Sequence, residues 1–167
     1  MAGKRIVTRI GDIFSVTLDN GKLRFFQYIA KDISCLNSPV IRVFKRMYPA
    51  DYILNTNEVI ADEVDFYAHT ILRWGITEGF WSKVGKNQNI GDTENIIFRA
   101  FIKDDFNNHE NRIWEAWYIN KEIFPIGKLS KYYRENSDIG LIIPAEAIVG
   151  RINTGVFPGT IFNKWEI

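Results

Sequence analysis

The stretch IFSVTLDNGKLRFFQYI, residues 13–29, decides the fold of this chain. Four of its first six residues are β-branched or aromatic, a composition typical of a β-strand. Asn20-Gly21 follows, and this pair tolerates the positive φ angles of a tight hairpin turn. From residue 22 to residue 29 the side chains then alternate between the two faces of a returning strand. The stretch therefore predicts an antiparallel β-hairpin.

Further strands are expected along the rest of the chain. A third strand at 39–45 follows the hairpin closely, as in a small curled barrel or a strongly twisted sheet. Three later segments also have the composition of strands: 66–74, 96–102 and 112–119.

The clearest helix begins at Pro144, whose fixed φ suits a first helical turn, and ends near residue 152, before Gly155. Shorter helical turns are expected within 47–65 and at 130–134. We therefore expect a single α+β domain over residues 1–167, predominantly β. Its centre would be a curled antiparallel sheet or an SH3-like barrel, with one or two short helices.

The residues that could carry metal or redox chemistry are few. Cys35 is the only cysteine, so it has no partner for an intrachain disulfide. His69 and His109 lie forty residues apart and match no zinc spacing, and His69 is expected to be a structural residue in an apolar strand. Neither a nucleophile elbow nor a phosphate-binding glycine pattern is present. The sequence thus predicts no cofactor, no metal site and no enzymatic activity.

Cellular location follows from what the sequence lacks. The first residues carry charge without an apolar run behind them, unlike a signal peptide. No stretch approaches the roughly 18 apolar residues that suggest a membrane span. We therefore expect a cytoplasmic protein without membrane association.

Charge is distributed unevenly along the chain. Residues 1–50 contain nine Lys and Arg against three Asp and Glu, whereas residues 51–167 contain twelve against seventeen, which together give the net charge of +1. A basic first third could meet phosphates, and an acidic remainder could meet a basic partner.

Two surfaces are candidates for binding. Lys22 and Arg24 share a strand face with aromatic residues, and Arg42 is expected on the adjacent strand, an arrangement that could bind single-stranded RNA. The near-neutral total charge argues against nucleic acid as the partner. The other candidate is an acidic block that could meet a basic patch on a protein partner, and it consists of Glu58, Asp62, Glu63 and Asp65.

Several short segments together resemble the immunity protein 26 family of bacterial polymorphic toxin systems. They are spread from about residue 10 to residue 160 and comprise Gly11-Asp12-Ile13-Phe14, Leu18-Asp19-Asn20-Gly21-Lys22, Gln27-Tyr28, Gly79-Phe80-Trp81-Ser82-Lys83-Val84-Gly85, Trp114-Glu115-Ala116-Trp117, Pro144-Ala145-Glu146-Ala147-Ile148-Val149, Arg151-Ile152 and Gly155. The resemblance implies a small cytoplasmic protein that binds and blocks a cognate toxin, without cofactor or turnover. It supplies no toxin-contacting residues.

The Gly11-Asp12 opening is also similar to that of the barrel-shaped ribonuclease toxins of toxin–antitoxin pairs. A shared barrel would not require a shared activity. The alternative that this similarity leaves open is an RNA-binding or RNA-cleaving small β-barrel.

Overall fold

The computed structural model describes residues 5–103 and 108–159, together with Phe162 and Trp165. In this part of the chain the fold is α+β and predominantly β, as the sequence predicts. A five-stranded antiparallel sheet has the order β4-β3-β2-β1-β5. Its strands are β1 (Asp12–Thr17), β2 (Leu23–Asp32), β3 (Ser38–Phe44), β4 (Val64–His69) and β5 (Ser82–Lys86).

A second sheet of four strands has the order β8-β7-β6-β9, in which β9 runs parallel to β6. Its strands are β6 (Ile97–Lys103), β7 (Ile113–Tyr118), β8 (Phe124–Gly127) and β9 (Ser137–Ile139). The described residues also form four α-helices: α1 (Thr56–Ile60), α2 (Leu72–Thr77), α3 (Lys131–Asn136) and α4 (Ala145–Thr154). Three of them lie where the sequence predicts helical turns, and α2 is unexpected. Of the two expected arrangements the open sheet is present, and no sheet in the described residues closes into a barrel.

The first hairpin forms as predicted. Strands β1 and β2 pair with Phe14 opposite Phe26, and the turn closes through the Leu18 amide, which donates to the Lys22 carbonyl. Of the Asn-Gly pair, Gly21 alone has a positive φ, at 81°. The hairpin turn therefore needs glycine at this position.

The strand predicted over 66–74 is wrong in its second half, because β4 ends at His69 and α2 begins at Leu72. The cause is packing against a residue further along the chain. The Trp81 indole donates to the Leu72 carbonyl at 3.0 Å, and its ring lies so close that a Cβ on Gly75 would be 2.0 Å from it. This contact stabilises a helical turn where the local composition favours a strand.

The five-stranded sheet is buried on both faces. Phe26 and Tyr28 pack in a large core with α4 and with Trp114 of the second sheet. The opposite face is covered at one end by α1, where Phe25 and Val59 share a smaller cluster. The two-sided burial explains why strand β2 has a nearly continuous run of buried side chains instead of an alternating pattern.

A buried carboxylate joins the two sheets. Asp32, at the end of β2, is inaccessible to solvent and accepts hydrogen bonds from His69 Nε2 of β4 and Trp117 Nε1 of β7, each at 2.9 Å. The Asn120 amide donates a further bond at 3.2 Å. Because Nε2 is placed to donate, the neutral tautomer of His69 has its proton on that nitrogen.

Burial and hydrogen bonding set the ionisation of this pair. Burial alone would raise the pKa of Asp32, but the bonds from His69, Trp117 and Asn120 hold that pKa below its ordinary value. Burial lowers the pKa of His69 by more than its bond to Asp32 raises it. The pair is therefore an Asp32 carboxylate beside a neutral His69.

We expect Asp32→Ala to lower the free energy of unfolding by about 3 kcal/mol, because buried donors on both sheets would lose their acceptor. Urea unfolding at pH 7.5 measures this difference. Asp51→Ala, at an exposed position, is the control and should change the value by less than about 0.5 kcal/mol. A loss below about 1 kcal/mol for Asp32→Ala would contradict a joining role for this carboxylate.

The same pair should make the protein unstable in acid. The pKa of His69 in the folded protein lies below its value in the unfolded chain, which is about 6.5. The contribution of His69 to stability is therefore complete above about pH 6.5 and is lost as the pH falls from there towards the folded pKa. The contribution of Asp32 is lost at still lower pH, below about 4.

Candidate protein-binding surface

The basic residues expected to contact RNA do not form a surface. Arg24 and Arg42 are only 7% and 8% exposed. The Arg24 guanidinium donates to the carbonyls of Phe44 and Ile152 and pairs with Asp65 Oδ2 at 2.8 Å. Since each of these acceptors belongs to the same chain, Arg24 stabilises the interior.

Arg42 has an equivalent internal role. Its guanidinium donates to Gln27 Oε1 from Nε at 3.0 Å and from a terminal nitrogen at 2.8 Å, and it reaches the Asn89 carbonyl at 2.9 Å. Of the three residues in this set, only Lys22 is exposed, and the neighbouring aromatics Phe26 and Tyr28 are buried. The hairpin thus presents neither a row of cations nor an aromatic platform on which bases could stack.

Three of the four acidic residues lie together at one corner of the molecule. Glu58 Oε1 pairs with Arg46 at 2.9 Å, Asp62 Oδ2 accepts from the Arg46 amide at 2.6 Å, and Glu63 pairs with Lys45 at 2.6 Å. The ion pair of Glu63 and Lys45 is largely exposed, with 73% and 48% of the side chains accessible. Exposed pairs of this kind are weak, so Glu63 can exchange Lys45 for a cation on another protein.

The fourth acidic residue, Asp65, does not belong to this corner. Its side chain is about one-quarter exposed and is held by Arg24. Asp65 also lines a cleft on the other side of β4. The predicted acidic block is therefore three surface carboxylates and one structural carboxylate.

Two exposed apolar residues adjoin, in sequence, the residues that contact these carboxylates. Ile53 is 88% exposed, the highest value among the large hydrophobic residues that the structure describes, and Met47 is 52% exposed. Ile53 follows Tyr52, whose hydroxyl donates to Glu58 at 2.8 Å. Met47 follows Arg46, which pairs with Glu58 at 2.9 Å. We call this surface, made of Met47, Ile53, Glu58, Asp62 and Glu63, the α1 corner.

The α1 corner is well ordered by local bonds. Asn55 caps α1, and its side-chain oxygen accepts from the amides of Asn57 at 3.1 Å and Glu58 at 3.3 Å. The loop that carries Ile53 is therefore fixed at both ends, by the cap and by the Tyr52–Glu58 bond. Because the loop is fixed, Ile53 would lose little conformational freedom if a partner covered it.

A polar cleft of about 470 Å³, which no pattern in the sequence predicts, lies between the edges of β4 and β9. Its lining includes Tyr67, Arg99, Asp138 and Arg151. The Tyr67 backbone amide lies near the Asp138 carboxylate and lowers its pKa. These residues come from four different elements, so no spacing in the sequence could have grouped them.

Asp138 has an unusual protonation equilibrium. Burial raises its pKa to about 6, against the opposing effects of Arg151, the Tyr67 amide and Arg99, while the nearby charge of Asp65 adds to the increase. A carboxyl group that titrates near neutral pH in a cleft has the property required of a general acid or base.

The remaining chemistry is limited. Among the residues described, no group of three or more His, Cys, Asp or Glu side chains is placed to hold a metal ion. Burial raises the pKa of the half-buried Cys35 thiol, which disfavours the reactive thiolate. None of the helices described is long and apolar enough to cross a membrane.

Comparison of this chain with protein-family models, with curated proteins and with solved structures yields no match. The resemblance to the immunity family therefore stays a prediction that rests on the residues quoted for it.

We expect Arg24→Ala and Arg42→Ala each to lower the free energy of unfolding by about 2–3 kcal/mol, because buried acceptors would lose their charged donors. Lys22→Ala is the control and should change it by less than about 0.5 kcal/mol. Urea unfolding measures all three. If either arginine variant had wild-type stability, the internal role assigned to that side chain would be wrong.

We expect Asp138→Asn to stabilise the protein at pH 7.5. When folding raises the pKa of a carboxyl group, the group stabilises the fold at pH values below the pKa that it has in the unfolded chain. This contribution is lost as the pH rises through about 6. The shift corresponds to at most about 3 kcal/mol, and partial exposure to the cleft reduces the expected gain to about 1–2 kcal/mol.

Thermal or urea unfolding between pH 4.5 and 8 tests this expectation. The difference between Asp138→Asn and wild type should shrink as the pH falls below about 6. A difference that is constant with pH would show that Asp138 does not titrate in this range.

Proposed function

We propose that this protein is an immunity protein that binds a cognate bacterial toxin domain and neutralises it without catalysing a reaction. Two observations support the proposal. The sequence segments resemble those of the immunity protein 26 family. The α1 corner offers a surface suited to a protein partner, and its exposed Ile53 is the observation that carries the proposal.

An exposed isoleucine is a suitable anchor for binding. Most of the binding energy of an interface comes from a few apolar or aromatic side chains that enter pockets on the partner, while the polar rim excludes water. At 88% exposure, Ile53 makes little contact with its own chain and can bury almost its whole side chain on association. The neighbouring Met47, a flexible apolar side chain, can adapt to the shape of the partner.

The charges at the corner favour a basic partner. Glu58, Asp62 and Glu63 exceed the adjacent Lys45 and Arg46 by one negative charge. Complementary charge of this kind raises association rates and rejects acidic competitors more than it increases affinity. A protein that must reach a toxin before the toxin reaches its target benefits from fast association, and we place this encounter in the cytoplasm.

The rival function, an RNA-binding or RNA-cleaving barrel, loses the two features on which it was predicted. Arg24 and Arg42 are bonded internally, and the sheets remain open. Recovery of bound RNA is therefore one of the outcomes that the experiment below distinguishes.

The test begins with affinity purification of the tagged protein from its native cells, followed by mass spectrometry of bound protein and sequencing of bound RNA. The toxin domain encoded by the adjacent reading frame is then co-expressed with the protein, and growth is measured. We expect a stoichiometric complex with a nanomolar dissociation constant and restored growth. Recovery of RNA that is released by salt, without a protein partner, would overturn the proposal.

We expect Ile53→Ala to raise the dissociation constant of the complex by about 10- to 100-fold, because the apolar anchor would be lost. Titration calorimetry with the toxin domain measures this change. Ile123→Ala, at another exposed isoleucine, is the control and should bind as the wild type does. Equal affinities for wild type and Ile53→Ala would remove the α1 corner from the interface.

We expect Glu63→Lys to slow association about 5- to 10-fold at low salt, with a smaller effect at high salt, because the acidic rim would be reversed. Stopped-flow mixing measures the rate. Glu122→Lys, in an exposed turn of the second sheet, introduces the same charge elsewhere and is the matched control. If both variants slow association equally, total charge and not the α1 corner is responsible. Asp65 is left unchanged, because it pairs with the buried Arg24.

A further inference from the structure

A second surface, distinct from the α1 corner, has a shape suited to receiving a side chain from another protein. A groove of about 240 Å³ lies between α2 and the segment that leads into α4. We call it the Trp74 groove, and its walls include Ile71, Trp74, Ile142, Pro144, Ala145 and Glu146.

Both walls of the Trp74 groove are fixed to the core. On one side, α2 is held by the bond from Trp81 to the Leu72 carbonyl and by the close approach of the Trp81 ring to Gly75. On the other side, the Ile143 amide donates to the His69 carbonyl at 2.8 Å, and the Thr70 hydroxyl donates to the Ile143 carbonyl at 2.7 Å. Because the walls are preformed, binding there would cost little conformational entropy.

The walls expose an unusual amount of apolar surface. Ile71 is 55% exposed, Trp74 is 54% exposed and Ile142 is 42% exposed. The other four tryptophans of the chain are each less than 5% exposed: Trp81, Trp114, Trp117 and Trp165. Tryptophan is the residue type most enriched among the energetically dominant positions of interfaces. A group of exposed apolar side chains around a groove, with Trp74 among them, is typical of a docking site.

The charge in the groove indicates what kind of segment would fit. Glu146, exposed in the first turn of α4, is the only charged residue in the lining. An apolar groove with one carboxylate at its rim complements an apolar side chain that is followed by a cation. The same carboxylate would repel the anionic headgroups of a lipid surface.

We propose that the Trp74 groove binds a segment of a partner protein in which an apolar side chain lies next to Lys or Arg. The apolar side chain packs between Trp74 and Ile142, and the cation pairs with Glu146. This site goes beyond the proposed function, since it does not require the partner to be the toxin.

Binding to the groove can be measured by the fluorescence of Trp74. Because it is the one exposed tryptophan of the five, acrylamide quenches the fluorescence of Trp74 selectively, and a bound segment would protect it. The probes are two short synthetic peptides with the same pair of leucines, flanked by lysines in one and by glutamates in the other. The measurement uses the full-length protein and needs no toxin, so its result is independent of the test of the proposed function.

We expect the lysine peptide to reduce the quenching of Trp74 fluorescence by acrylamide at least threefold. The glutamate peptide should leave this quenching unchanged. In Glu146→Gln the ratio of the affinity for the lysine peptide to that for the glutamate peptide should fall at least fivefold. Binding through the leucines should persist. If neither peptide protects Trp74 at millimolar concentration, or if both protect it equally, the proposal is wrong.

A variant series separates the groove from general effects on folding. Trp74→Ala should weaken binding of a dye-labelled lysine peptide at least tenfold in fluorescence anisotropy. Because the side chain is about half exposed, the free energy of unfolding should fall by no more than about 1 kcal/mol. Tyr132→Ala removes another aromatic side chain that is 56% exposed, on α3, and should bind the peptide as the wild type does. Equal loss of binding in both variants would also overturn the proposal.

Discussion

A single carboxylate that has been removed from water fixes how the two sheets meet. A buried negative charge is tolerated only where enough donors converge on it. Asp32 obtains its donors from β4 of its own sheet, from β7 of the second sheet and from Asn120 beyond β7. The position of the second sheet relative to the first is therefore set by the geometry of hydrogen bonds to one side chain, within a core that apolar packing alone would leave less specific.

Two arginines have a comparable role inside the first sheet. Arg24 connects β2 to the end of β3, to β4 and to α4, while Arg42 connects β3 to β2 and to the loop before β6. Guanidinium groups suit such positions because several donors in one plane can satisfy several carbonyls at once. The basic character of the first fifty residues is thus partly used within the fold, and less of it remains at the surface than the count of charges suggests.

The contrast between these residues shows what sequence patterns can predict in this chain. The first hairpin and helix α4 follow from local signals, namely Asn20-Gly21, Pro144 and Gly155, and they form close to where the patterns place them. The start of α2 does not follow, because the Trp81 contact that stabilises it comes from outside the local window. The solvent exposure of single side chains cannot be predicted either, because composition does not distinguish Trp74 from four buried tryptophans or Ile53 from the isoleucines of the core. The cleft at Asp138 needs four elements to be brought together, and only the tertiary structure does this.

The long separations across Asp32 also have a consequence for the order of folding. Strands β1 to β4 pair with their sequence neighbours, so they can assemble early, as the chain leaves the ribosome. The bonds to Asp32 from Trp117 and Asn120 span 85 and 88 residues, and they can form only after most of the chain has been synthesised. Until then the first sheet has a carboxylate without its full set of donors and an apolar face without its cover. The native packing of the two sheets should therefore appear only after β7 is complete.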